Sequence, residues 1–463
     1  MRLLVYGVNY APELTGTGKY TAEVTEALAA RGHDVRVVTA PPYYPEWRVA
    51  VGWPSWRYCR ETRCGVAVWR APLWVPARPS GAKRLLHLAS FALSSAVPMA
   101  LQLRWRPDVV MVIAPTLLCA PTALAVARAT GGKSWLHVQD FEVDAAFGLG
   151  LLGNARVARI ARAMERSLLK RFDVVSSISA QMVERLRTLG VEESRVLCVQ
   201  NWVDVETIRP LDRRSVYRRE LSIPNDAKVV LYAGNMGKKQ GLEHLAAAAE
   251  RLAERADIRF VFCGEGPTKA ELEKRCAGLS NCRSIGLQPV ERLNELLNLA
   301  DIHALPQHAD AADLVMPSKL TGMMASGRAI VAMAHAGTAL YDAVASRGVA
   351  VEPDDADALA AAIAALADDA PRRAALGAAA RRYAQTEFSP DAVFGRIEAK
   401  LLECTLQAQG ASAAEEDFAL QRFRGLKPGA VSHAGVADER GDEADAERGT
   451  FGSGERFEDE FGD

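Results

Sequence analysis

At 463 residues the chain is too long for one ordinary hydrophobic core, so two domains are expected. With 49% apolar and 24% charged residues it has the balance of a globular protein, which excludes a chain that is disordered or fibrous throughout. A net charge of −1 hides an asymmetry: residues 1–200 carry twenty-five basic against fifteen acidic side chains and residues 401–463 six against fifteen, so the first half suits phosphates or an anionic membrane surface, and no nucleic acid partner is expected.

The chain opens on an apolar run, RLLVYG, predicted to be a strand and too short for the core of a signal peptide. NYAPELTGTGKYTAEV follows at 9–24, then a helical stretch through Arg31. Gly16, Thr17, Gly18 and Lys19 therefore stand between a strand and a helix. A Walker loop requires GxxxxGK[ST], but Tyr20 follows Lys19 and Glu13 occupies the first glycine position. A dinucleotide fingerprint fails at Thr21. What remains is a flexible turn at a helix N-terminus, where free N–H groups and the helix dipole favour an anion. A tight turn without a ligand explains the spacing equally well. HDVRVVT at 33–39, introduced by Gly32, completes a βαβ unit.

APPYYPEWRVAVGWPSWRY at 40–58 brings together Tyr43, Tyr44, Trp47, Trp53, Trp56 and Tyr58. Aromatic faces suit sugars and lipid chains, and filling a core gap is the alternative. LLHLASFALSSAVPMALQL at 85–103 has no formal charge and lies between Lys83–Arg84 and Arg104–Arg106. It is nearly long enough to span a bilayer. His87, three serines, Pro98 and Gln102 argue instead for a buried or interfacial helix. Further strands are predicted at 107–113, 134–138 and 173–179. After the second of these, Asp140, Glu142 and Asp144 form a carboxylate cluster, with helix capping as its alternative role, while His137 is expected in the core. Residues 156–170 place Arg156, Arg159, Arg162, Arg166 and Lys170 on one helical face beside Val157, Ile160, Met164 and Leu168. This basic amphipathic pattern fits a membrane surface or a solvated face over a core stripe.

The pattern restarts at 228, where KVVLYAGNMGKKQGLEHL again reads as strand, glycine loop and helix, and further strands are predicted at 300–306 and 327–334. Strands alternating with helices mean a parallel sheet covered on both faces. Two such units are two Rossmann-like domains, with ligands at the carboxyl ends of their strands. Residues 203–227, charged and interrupted by two prolines, read as a linker. The expected domains are 1–203 and 204–388, then a helix over 389–408 that packs back toward the first domain. The acidic, Gly-rich segment 409–463 is expected to be disordered. Eight cysteines without a CxxC pair indicate a reducing cytoplasm and no zinc site.

PELTGTGKYTAEVTEALAARGHDVRVVTAPPYYPEW, LYAGNMGKKQGLEHL and MPSKLTGMMASGRAIV, in that order, resemble the GT-B family 4 glycosyltransferases, and among them those of colanic acid biosynthesis. The resemblance runs through about 1–405 and implies an α/β GT-B fold, with two Rossmann-like domains facing each other across a cleft. It implies a retaining transferase that needs no metal or other cofactor. The donor is a nucleotide sugar, with GDP-fucose the candidate, and the acceptor a polyprenyl-diphosphate-linked sugar at the inner face of the cytoplasmic membrane. The implied donor residues are Gly16, Thr17, Gly18, Asn235, Gly237, Lys238, Lys239, Gln240, Ser318 and Lys319. Asp140 and Glu142 are the implied catalytic carboxylates, and Tyr43, Tyr44 and Trp47 the acceptor contacts. The family's arginine after the first glycine and lysine before the last are here Asn235 and Gln240, so Lys238 or Lys239 is expected to supply the charge. Ser318 is expected to cap the helix that follows it. Gly322 stands where the family has a ribose-binding glutamate. Two other readings stay open: a nucleotide-sugar epimerase or hydrolase of the same fold, and a non-catalytic nucleotide-sugar-binding partner of a polysaccharide assembly complex.

Overall fold

The structure, a computed structural model, describes residues 1–13, 16–78, 80–143, 155–309 and 317–409. Asp144 and positions 410–463 of the expected tail lie outside the described residues. The first sheet contains β1 Arg2–Tyr6, β2 Asp34–Thr39, β3 Cys59–Arg63, β4 Val66–Arg70, β5 Val109–Ala114, β6 Lys133–Val138, β7 Val174–Ser177 and β8 Val196–Cys198. Their order is β3-β4-β2-β1-β5-β6-β7-β8. The second contains β9 Lys228–Ala233, β10 Ile258–Cys263, β11 Cys282–Ile285, β12 Ile302–Leu305, β13 Ala329–Met333 and β14 Val349–Val351, in the order β11-β10-β9-β12-β13-β14. Central strands such as β5, VVMVIA, are buried at every residue because helices cover both faces.

Among the described residues, one strand pair departs from the parallel pattern. β3 and β4 run antiparallel, joined at Cys64 and Gly65, both with positive φ, as a tight hairpin turn requires. β3 lies at the sheet edge and carries Arg60, Glu61 and Arg63, charges that discourage pairing with another chain.

Residues 203–227 differ from the expected linker. Val205 and Ile208 are buried in the core of the second domain. Arg218 is buried as well, and its guanidinium donates to the carbonyls of Pro224 and Ala227 and to Asp301. Those acceptors compensate the buried charge and let a charged stretch join a core. The C-terminal helix Pro390–Gln409 packs Val393, Phe394, Ile397 and Leu401 against Leu3, Val5 and Met111 of the first sheet. Arg31 and His33 meet its buried Glu398 at 2.7 and 2.8 Å.

The long apolar helix Gly81–Leu101 buries His87, Phe91, Ser95 and Met99, and the Tyr6 hydroxyl hydrogen-bonds Ser95 Oγ at 2.5 Å. Its other face leaves Leu86, Leu93 and Val97 60%, 78% and 54% exposed. The helix is long and apolar enough to cross a membrane, but one side of it belongs to the core of the first domain.

Candidate active site

The carboxyl ends of the two sheets meet at a cleft of about 1150 Å³, the ligand position of open α/β sheets. On the first wall the loop after β1 ends at Gly16, where the helix Gly16–Ala30 begins. Gly16 and Thr17 line the cleft. Gly18 does not belong to that lining. It is buried, and a Cβ there would stand 2.7 Å from Glu13 Oε2 and 3.3 Å from the Tyr10 nitrogen, so this glycine serves a close approach of loop to helix.

Glu13, absent from the expected site, organises this wall. Its carboxylate accepts the backbone N–H groups of Tyr43 and Tyr44, each at 3.0 Å, and Asn9 Nδ2 at 2.9 Å. Burial raises its pKa while those donors oppose the rise. One carboxylate thereby ties the glycine loop to the aromatic loop. Arg70, fully buried, donates to the carbonyls of Ala11 and Ala40 and to Glu61, and Trp53 lies 4.3 Å from its guanidinium. Trp53 thus serves the fold.

Tyr43, Tyr44 and Trp47 all line the cleft. Tyr43 and Trp47 pack against His87 at 4.7 and 5.4 Å between ring centroids. His87 Nδ1 lies 2.7 Å from the Trp74 carbonyl, which can only accept, so Nδ1 carries the proton and Nε2 the lone pair. Burial lowers the pKa of this imidazole. Among the described residues Nε2 has no hydrogen-bond partner.

Asp140 and Glu142 follow β6 and both face the cleft. Asp140 is exposed. Glu142 accepts the Leu117 N–H, and burial, with smaller contributions from Glu165 and Asp140, pushes its pKa up to about 7. His137 lies behind them in the core against Ser176, and burial pushes its pKa down to about 4.

On the second wall Gly234 and Lys319 come together. Gly234 has φ +148°, and a Cβ there would touch the Lys319 side chain at 3.4 Å. Lys319 opens the helix Lys319–Ala325, donates from Nζ to the Tyr232 hydroxyl at 2.9 Å and lies 4.2 Å from that ring's centroid. Burial pushes its pKa down to about 8, and among the described residues no carboxylate is paired with it. Such an ammonium is stabilised by an incoming anion. Of the two adjacent lysines, Lys239 lines the cleft and Lys238 does not. Gln240 lines it as well, while its Oε1 accepts the Gly237 N–H at 3.0 Å. Asn235 and Gly237 fall outside the lining, because the turn uses their backbone: the Tyr232 hydroxyl donates to the Asn235 carbonyl, and Gly237 binds Gln240. Ser318 lines the cleft, but its hydroxyl does not cap the helix; its backbone is already in helical geometry.

The structure thus brings Gly16, Thr17, Tyr43, Tyr44, Trp47, Asp140, Glu142, Lys239, Gln240, Ser318 and Lys319 to one cleft. It leaves Gly18, Asn235, Gly237 and Lys238 outside. Glu13 and His87 escaped the sequence reading as site residues because their partners lie about thirty residues along the chain or on another element. The one available signal was that Glu13 breaks the Walker pattern.

Residues 15–202 match the glycosyl transferase 4-like domain, and residues 213–383 match the glycosyl transferases group 1. Over 373 residues the chain is 45% identical to the protein of Escherichia coli (strain K12) named as the colanic acid biosynthesis glycosyl transferase WcaI, a span of 78% of this chain and 91% of that one. In three dimensions it resembles a sucrose-phosphate synthase from Thermosynechococcus elongatus, with a TM-score of 0.66 and 19% identity over 87% of this chain and 99% of that one. It also resembles the Anabaena protein HepE, solved with UDP and glucose, with a TM-score of 0.60 and 14% identity over 87% of this chain and all of the other. The chain is a glycosyltransferase and belongs to the group 1, family 4 glycosyltransferases of GT-B fold.

Proposed function

We propose that this glycosyltransferase moves a sugar, with retention, from a nucleoside-diphosphate donor to a lipid-linked saccharide during assembly of a colanic-acid-like exopolysaccharide. The observation that carries the reading is the pairing of Lys319 and Lys239 on one wall with the Gly16–Thr17 turn on the other. Lysines and free N–H groups there would meet the charge that grows on the leaving diphosphate. As the bond from the anomeric carbon to the phosphate oxygen breaks, the acceptor oxygen bonds to that carbon on the same face. Its proton passes to the departing phosphate oxygen, so no protein nucleophile is required. Asp140 and Glu142 would orient the acceptor hydroxyl, while Tyr43, Tyr44 and Trp47 would stack on the sugar. Fucose from GDP-fucose is the favoured donor, supported by the 45% identity to a glycosyl transferase of colanic acid biosynthesis.

The lipid acceptor calls for contact with the inner face of the cytoplasmic membrane. The exposed row Leu86, Leu93 and Val97 supports that location, as do Ile160 and Met164, exposed among Arg156, Arg159 and Arg162. Radiolabelled GDP-fucose incubated with the protein and a membrane lipid extract tests the whole reading. Label passing into lipid supports it. A chemically changed sugar without transfer would favour an epimerase or hydrolase, and binding without either change a nucleotide-sugar-binding partner. Flotation with anionic and neutral vesicles tests the membrane contact separately.

A further inference from the structure

Away from the reacting groups, on the outer side of the lysine loop, four titratable side chains from three segments converge. His244 stands in the first turn of the helix Leu242–Arg251, His308 follows β12, and Asp354 follows β14. His244 Nε2 lies 2.9 Å from Asp354 Oδ1, and His308 Nδ1 lies 3.0 Å from the same oxygen. The two ring nitrogens are 3.4 Å apart. Three ligands of a tetrahedral zinc ion, each about 2.0–2.1 Å from the metal, stand about 3.3–3.4 Å from one another. The observed triangle needs only a small expansion to reach that geometry. The other nitrogen of His308, Nε2, faces Glu243 Oε1 at 2.6 Å. Metal-bound histidines usually donate their second ring N–H to a carboxylate in this way, which fixes the tautomer that leaves the first nitrogen free for the ion.

We propose that His244, His308 and Asp354 bind a zinc-type divalent cation, with Glu243 holding the His308 ring from behind. Two imidazoles and one carboxylate favour zinc over magnesium or calcium, which prefer all-oxygen sites. The ligand side chains are 16%, 32% and 46% exposed, so the ion can enter from solvent and keep a water as its fourth ligand. Such an ion would not touch the transferred sugar. Its consequence is mechanical. The His308 N–H donates to the Lys239 carbonyl, and His308 directly follows Gln307, which lines the cleft. Binding would hold Lys239 and Gln307 in place by tying together three loops of the second domain. The inference is independent of which sugar is transferred.

Chelator-treated full-length protein titrated with zinc chloride, against a chromophoric competitor, should bind one equivalent and melt at a higher temperature. His308→Ala and, separately, Asp354→Asn should abolish both effects while leaving the far-ultraviolet circular dichroism unchanged. Glu243→Gln should keep the site and weaken it by about 10- to 100-fold. Cobalt in place of zinc should show d–d bands without a thiolate charge-transfer band, a necessary control because the chain carries unpaired cysteines, one of them exposed. Zinc that leaves the melting temperature unchanged overturns the proposal. So does an Asp354→Asn variant that binds as wild type does, or a cobalt spectrum dominated by thiolate.

Discussion

The two glycine loops that face each other across the cleft use their charged neighbours in opposite ways. In the first domain the charges close to the loop are engaged inside the fold. Glu13 accepts from Asn9, Tyr43 and Tyr44, and Arg70 is surrounded by two carbonyls and Glu61. In the second domain Lys319 has a tyrosine hydroxyl as partner, and among the described residues no carboxylate is paired with it. A charge beside a phosphate-type loop therefore indicates a ligand only after its partners have been counted. The first loop is tied into the fold through Glu13, and the second holds a buried cation at the cleft.

The strongest way to break this comparison is Glu13→Ala. Three donors lose their acceptor inside the fold, so the unliganded protein should lose about 3 kcal/mol or more of stability. Urea unfolding measures it, and an unchanged midpoint would end the view of Glu13 as the tie between loops. Lys319→Ala should do the reverse. Losing a charge-assisted contact worth about 1.5–3 kcal/mol should cut kcat/KM by about ten- to a hundredfold. Its unfolding midpoint should stay level or rise slightly, because a buried, partly desolvated cation has been removed. Donor affinity of the wild type should also fall as pH rises through about 8, where Lys319 loses its proton in the absence of ligand.

Glu142 sharpens the comparison through pH. Its carboxyl pKa is raised to about 7 by burial, so the folded state holds a proton that the unfolded state releases near its ordinary value of 4.5. The stability this gives is fully present below about 4.5 and is lost as pH rises through about 7. Glu142→Gln should remove that pH dependence and gain on the order of 2–3 kcal/mol over wild type at pH 8 relative to pH 5. Thermal melts across that range decide it. The smallest effect separates the adjacent lysines: Lys239→Ala should weaken donor binding several-fold, about 1 kcal/mol, and Lys238→Ala should stay close to wild type because its side chain lies outside the cleft. Equal losses in calorimetric titrations with donor would place both lysines on the diphosphate.

The sequence by itself determined the two parallel sheets and the loops at their carboxyl ends. Runs such as VVMVIA and VVLYA are apolar at successive positions, as a strand covered on both faces requires. It also brought Lys319, Asp140 and the Tyr43–Trp47 aromatics into consideration, because each sits a few residues past a strand end or in a recognisable motif. Only the tertiary structure decided which side chains reach the ligand. Lys238 and Lys239 are neighbours in sequence, and a single step around a short turn sends one into the cleft and the other to the outer surface. Gly18 was expected at the donor and Glu13 was not expected in the site, yet the missing Cβ of Gly18 makes room for the Glu13 side chain. His244, His308 and Asp354 are separated by 64 and 46 residues and meet only because the segments after β9, β12 and β14 converge at one end of the parallel sheet. Strand-forming tendency is a local property that a short window of sequence contains. The partner of a buried charge is a long-range property, set by where the sheets place their loops.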